Sequence, residues 1–295
     1  MFDSRTLQGA YFALSAYIFW GVVPIYFKFL NHVSASEILI HRVLWSIILL
    51  LAILVYTGNL DKLRVKPKVL ASLALTSALL ATNWLIFIYA ILDNNIVETS
   101  LGYFINPLVS VFLGMIFLSE RLRPLQWVAI GIVGIGIGFQ LFYFGAIPWI
   151  SLALAFSFGF YGLIRKNLNL HSVAGLAVET IIASPVALIG LWWLHSSGDM
   201  KFGAVDMSTN VLLIMGGLVT SFPLLCFAAA VTRLSLTVIG MFQYLAPSIS
   251  LIIAVTIYHE PFGLERFVTF ACIWCALIIF TTEATLHHRR VSRKG

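Results

Sequence analysis

The sequence predicts an all-α integral membrane protein: ten transmembrane helices arranged as two inverted five-helix repeats. Three observations lead there. Of the 295 residues, 60% are hydrophobic and only 10% charged, against about 25% charged in a soluble domain, so there is too little charge to coat a globule. Apolar runs of about 18 residues or more, the length that crosses a bilayer, recur along the chain and are apolar on all faces. Finally, the stretch from Glu98 to Arg123 (ETSLGYFINPLVSVFLGMIFLSERLR) is echoed from Val238 to Gly263 (VIGMFQYLAPSISLIIAVTIYHEPFG). At an offset of 140 residues Pro107 falls on Pro247, Ser110 on Ser250 and Glu120 on Glu260. These are residues an apolar helix does not need.

Span 1, residues 8–30, follows Arg5 and stays apolar for longer than a signal h-region. It closes on Pro24, Tyr26 and Lys28 rather than on a small-residue cleavage site, so it is expected to be retained. Span 2 (36–56) carries His41-Arg42 in an apolar setting, and span 3 (69–92) carries Asn83-Trp84 near its middle. Span 4 (97–118) holds Asn106-Pro107. Span 5 (125–143) contains Gly131, Gly134, Gly136 and Gly138. No strand precedes them, so they read as close helix packing rather than a dinucleotide loop. Span 6 covers 147–164, and span 7 (172–194) carries Glu179. Span 8 (210–232) holds Pro223, span 9 (236–258) holds Gln243-Tyr244 and Pro247, and span 10 covers 266–284. Connections are short except at 57–68 and 195–209. Cys226, Cys272 and Cys275 lie in apolar stretches with no βαβ context and read as packing. No cofactor or metal site is expected.

Orientation follows from the basic residues. With the amino terminus inside, the cytoplasmic segments hold 14 of the 18 Lys and Arg residues, among them Arg165 and Lys166, and the outer segments hold 3. Both termini are therefore expected in the cytoplasm, and the net charge of +6 reflects short loops and a basic tail rather than nucleic-acid binding. Five spans per half is an odd number, so the copies, 1–145 and 146–295, lie upside down relative to each other. In that design the substrate site is expected near the midplane where the halves meet.

On span 4, Thr99, Tyr103, Asn106, Ser110 and Gly114 fall on one helical stripe, matched on span 9 by Ile239, Gln243, Ala246, Ser250 and Ala254. A packing seam explains the small members. Tyr103, Asn106 and Gln243 are larger than a tight seam prefers, which favours a cavity wall. Pro107 and Pro247 lack the N–H that would bond residue i−4, freeing the carbonyls of Tyr103 and Gln243. A hinge or a ligand contact is expected there, with a simple kink as the plainer reading.

Charges inside spans need a partner or a wet cavity. Arg42 lies about 9 Å deep from the outer face and Glu179 about 10 Å deep from the inner one at 1.5 Å per residue. In a hydrocarbon layer of roughly 30 Å a direct pair between them is not expected. Glu37 and Glu98 are the better-placed partners for Arg42, whereas Glu179 has no obvious partner in sequence. Glu179 is accordingly the leading candidate for sensing a proton or a substrate ammonium. For Asn83 an interhelical hydrogen bond is the plainer reading.

Trp20-Gly21, Pro24 and Tyr26-Phe27-Lys28, with His41-Arg42, Asn83-Trp84, the run from Glu98 through Asn106-Pro107-Leu108, and Phe242-Gln243-Tyr244, together resemble the RarD type of EamA-domain protein. The likeness covers essentially the whole chain. It implies the drug/metabolite transporter superfamily and a bacterial inner membrane, with spans 1–4 and 6–9 around a central cavity and spans 5 and 10 peripheral. The type is named for an association with chloramphenicol sensitivity, and relatives export amino acids or other metabolites.

The expected function is a secondary transporter exporting a small metabolite, amino acid, amine or amphiphilic drug by alternating access, with the lipid bilayer, the solute and protons as partners. Trp20, Tyr26, Asn83, Trp84, Tyr103, Asn106, Gln243 and Tyr244 are the expected cavity contacts. His41, Arg42, Glu98 and Glu179 are the coupling or charge-relay candidates, and Pro107 and Pro247 the hinges. An integral-membrane enzyme is the rival class. It would need catalytic groups gathered at one face, to which His195-Ser-Ser-Gly-Asp199 is the nearest approach.

Overall fold

A computed structural model describes residues 4–92, 96–145, 147–259 and 263–292. Within them, side chains at 88, 89, 91, 92, 96–100, 144, 265, 266, 284, 285 and 287–292 are not described. All regular elements among the described residues are helical: α1 (Ser4–Phe29), α2 (Ala35–Tyr56), a 3-10 turn (Leu60–Leu63), α3 (Pro67–Leu92), α4 (Ile96–Leu118), α5 (Pro124–Phe144), α6 (Trp149–Leu168), α7 (Ser172–Ser197), α8 (Met207–Val231), α9 (Leu236–Gln243), α10 (Leu245–Thr256) and α11 (Leu264–Ser292). Span 9 is the pair α9–α10, broken at Tyr244, and span 10 is α11, so ten spans result. Eight of them, with α9 and α10 counted together, are long and apolar enough to cross a bilayer on composition alone.

The helix ends follow from local chemistry. Ser34, Asp206 and Ser235 cap α2, α8 and α9 by accepting from the backbone N–H of Glu37, Thr209 and Val238. Hydrogen bonds from Ser208 and Thr209 hold the exposed Asp206 carboxyl down at about 2. At the end of α4, Ser119 adopts a left-handed φ of 54° and the Glu120 N–H returns to Gly114 O at 3.1 Å. That closure turns the Glu120 side chain back over the helix end.

The packing repeats between the halves. Spans 5 and 10, 2 and 7, and 4 and 9 pack each against its own counterpart. Span 1 packs on spans 8 and 9, as span 6 does on spans 3 and 4. This pairing is what two copies related by a pseudo-two-fold axis produce. One apolar cluster joins α4, α5, α6, α9 and α11, and a second joins α1, α2, α3, α6, α7, α8 and α9.

On the peripheral α5–α11 pair, Gly136 is the close-approach position. A Cβ there would lie 2.8 Å from that of Cys272, and Thr269 Oγ1 donates to the Gly136 carbonyl at 3.1 Å. Gly131, Gly134 and Gly138 have nothing within 4 Å. The expectation that all four glycines serve packing therefore holds only for Gly136.

Candidate functional site

The two faces of the bundle differ. At the face where the chain termini lie, polar side chains lace the halves together. Glu120 accepts from Leu236 N (2.6 Å), Thr237 N (2.8 Å) and Thr237 Oγ1 (2.8 Å), placing a carboxylate on the amino-terminal end of α9, where the helix dipole favours it. Arg5 also donates across the halves, to the carbonyl of Thr232 (3.0 Å), while Lys166 Nζ donates within the second half to the carbonyls of Val231 and Leu234.

The same face holds the ionic centre of the second half. Glu179, 2% exposed, accepts from Thr76 Oγ1 on α3 (2.6 Å) and Tyr161 Oη on α6 (3.5 Å). Arg165 Nη1 stands 3.7 Å from Glu179 Oε1. The sequence placed Arg165 in a loop and left Glu179 unpartnered. In fact α6 runs on to Leu168, which buries Arg165 in its last turn. The guanidinium lies against Gly175, where a Cβ would sit 2.1 Å from Nη1.

The α4–α9 crossing is a tight seam at its terminal end. A Cβ at Gly240 would be 2.7 Å from the Pro107 carbonyl oxygen, and Ser110 Oγ donates to Gln243 Oε1 at 3.2 Å. Gln243 is 5% exposed. Tyr244 is fully enclosed and its hydroxyl donates to Phe104 O at 3.2 Å. These two expected cavity residues are packed in this conformation, and the Asn106 Oδ1 is buried without a hydrogen-bond partner. Pro107 is accommodated within a continuous α4, whereas Pro247 sits just past the break at Tyr244.

The far end of the same stripe is open. Tyr103 is 52% exposed, yet its phenol is within electrostatic range of Arg42 on α2, a helix against which α4 does not closely pack. Its ring meets that of Phe87 edge-on at 6.2 Å. On α2, Arg42 Nε donates to Thr220 Oγ1 at 2.7 Å, and its guanidinium carbon lies 5.3 Å from the Trp84 ring and 5.6 Å from the Phe27 ring. Tyr26 donates to Leu212 O at 2.9 Å.

The remaining expected residues make contacts within and between helices. Asn83 Nδ2 ties α3 to α6 through Leu154 O and Ser157 Oγ, both at 2.9 Å. Trp20 packs among Tyr17, Phe158 and Phe227. His41 accepts from Trp45 Nε1 at 3.2 Å and stacks near Phe202. Glu37, expected as a partner of Arg42, instead accepts the backbone N–H groups of Lys201 and Phe202 at 2.8–3.0 Å, because residues 198–206 fold over the start of α2. The Glu98 side chain lies outside the described residues. Glu120, Arg165, Thr76 and Thr220 were missed. Only Glu120 had left a signal, through its recurrence at Glu260.

The sequence signature of the EamA-like transporter family matches residues 7–142 and again 145–282. Protein RarD of Escherichia coli K12 is 46% identical over 292 residues, covering 98% of this chain and 99% of its own. An uncharacterized transporter of Vibrio cholerae is 46% identical over 280 residues, 94% of this chain and 92% of its own. A solved crystal structure with 16% sequence identity superposes with a TM-score of 0.74 over 95% of this chain and 99% of that one, a likeness of fold.

Proposed function

The chain belongs to the EamA-like transporter family, and from that premise we propose that it is a secondary active exporter of a small metabolite or amphiphilic drug, working by alternating access. The repeats divide at residues 145 and 146, both termini face the cytoplasm, and the membrane is the bacterial inner membrane. The conformation described is then the outward-open one. One observation carries this reading: a single pseudo-symmetric crossing, α4 on α9, is sealed by Gly240, Pro107, Ser110 and Gln243 toward the termini and open at Tyr103 toward the other face. Two inverted copies of one unit can exchange those roles, since each half can adopt the packing the other now has.

A proton is the coupling ion in this proposal, and Glu179 receives it. The carboxyl group bridges the halves through Thr76 and lies 3.7 Å from Arg165 Nη1. Protonation cancels that ion pair and loosens the cytoplasmic seal.

Counterflow in proteoliposomes, with a panel of amino acids, amines, organic acids and chloramphenicol, tests the transport reading. Accelerated exchange of at least one solute over protein-free vesicles is expected. Chemical alteration of a solute with no exchange would replace the transporter by a membrane enzyme.

A further inference from the structure

The inverted halves place equivalent positions side by side and then furnish them differently. Arg42 lies as far into α2 as Glu179 lies into α7, and Tyr26 as far from the end of α1 as Arg165 from the end of α6. Each charged side chain on a second span also bonds a threonine on the third span of the opposite half: Arg42 with Thr220, Glu179 with Thr76. In the second half the two equivalent positions hold a guanidinium and a carboxylate that neutralise each other. In the first they hold a phenol and a guanidinium, and the guanidinium has no carboxylate partner among the described residues.

Among the described residues Arg42 meets no carboxylate. Among these residues Thr220 is its one hydrogen-bond partner, through Nε, and the side chain is only partly buried. Gly216 makes room for this, since a Cβ there would come within 3.1 Å of both Arg42 Cγ and the Tyr26 hydroxyl. The unused edge of the guanidinium carries parallel N–H groups of the spacing that a carboxylate accepts two at a time. Trp84 and Phe27 supply apolar walls beside it, and the half-exposed Tyr103 phenol is within electrostatic range.

We infer that Arg42 is the anchor for the substrate's carboxylate, and that the transported class is small organic monocarboxylates with an apolar or aromatic body, amino acids included. A single cation matches a single negative charge. A phosphate monoester dianion would leave charge unbalanced in a site whose other walls are neutral. This assignment rests on the transporter reading given above.

Titration of the purified protein in nanodiscs, followed by tryptophan fluorescence and by calorimetry, tests it. The probes are phenylacetate, phenylalanine, phenylacetamide, phenylalaninamide and phenethylamine. Each carboxylate is expected to bind about ten- to hundredfold more tightly than its amide, the difference a charge-assisted hydrogen-bonded pair makes. Arg42→Gln should erase that preference and Arg42→Lys should keep part of it. The wild-type comparison of acid with amide needs no variant, so a misfolded Arg42→Gln leaves the test intact. Equal binding of acids and amides, tighter binding of the amine, or binding of no carboxylate at millimolar concentration overturns the assignment. Counterflow separates the two claims. Exchange of amines or amides but not acids refutes the carboxylate anchor alone. Arg42-dependent carboxylate binding with no exchange of any solute refutes the transporter reading alone.

Discussion

Glu179 and Arg42 are both charges within second spans, and sequence alone singled out both without finding Arg165 for Glu179 or Thr220 for Arg42. The reason is geometric: a partner that is one residue past a hydropathy boundary, as Arg165 is, looks like a loop cation until the helix is seen to continue for another turn. Once paired, Glu179 is costly to alter singly. Removing one member of a buried ion pair is destabilising by about 3–5 kcal/mol, whereas replacing both is often neutral. Glu179→Gln is therefore expected to lower the unfolding midpoint, and Glu179→Gln with Arg165→Gln to restore most of it. Uptake into inverted vesicles should lose its dependence on an imposed pH gradient in both variants. A double variant that is stable and still responds to the gradient would remove Glu179 from the coupling step.

At the level of helices, the spans were legible to within four residues, apart from the end of span 10, which runs on to Ser292, because hydropathy and proline positions mark them directly. The stripe on span 4 was legible as well, but not its division into two functions. Small residues and polar residues both read as "not lipid", and only the neighbouring helix decides between seam and cavity. Gly240 under the Pro107 carbonyl makes the terminal end a seam, whereas Tyr103 at the other end is half exposed and lies on the proposed cavity wall. Pro107 and Pro247 sit where the seam must part if the halves are to exchange states, and both leave a carbonyl without its helical partner. Pro107→Ala with Pro247→Ala should leave the helix content unchanged and slow counterflow about tenfold, the effect of roughly 1.4 kcal/mol on the exchange barrier. Turnover equal to wild type would make both prolines mere kinks.

For the whole molecule, the inverted repeat came from arithmetic on the chain: an odd number of spans per copy forces the inversion. What the arithmetic withheld was which face is open, because both halves carry the same plan and differ only in which side chains interlock. With the three native cysteines replaced, Tyr103→Cys in intact cells should react with a membrane-impermeant maleimide added outside, and Gln243→Cys should not. The reverse pattern would mean that the opposite face is the open one, or that the chain inserts the other way up. The fixed charge at Arg42 carries a consequence for energetics. A guanidinium fixed to the protein returns empty each cycle, so each exported carboxylate that lacks an ammonium carries one net negative charge out of the cell, in addition to the charge of the coupled proton. A cell interior held negative then adds to the driving force for efflux, by about 2.3 kcal/mol per charge for each 100 mV. A valinomycin-imposed diffusion potential should therefore bias net phenylacetate movement in vesicles, and net movement indifferent to that potential would sink the idea.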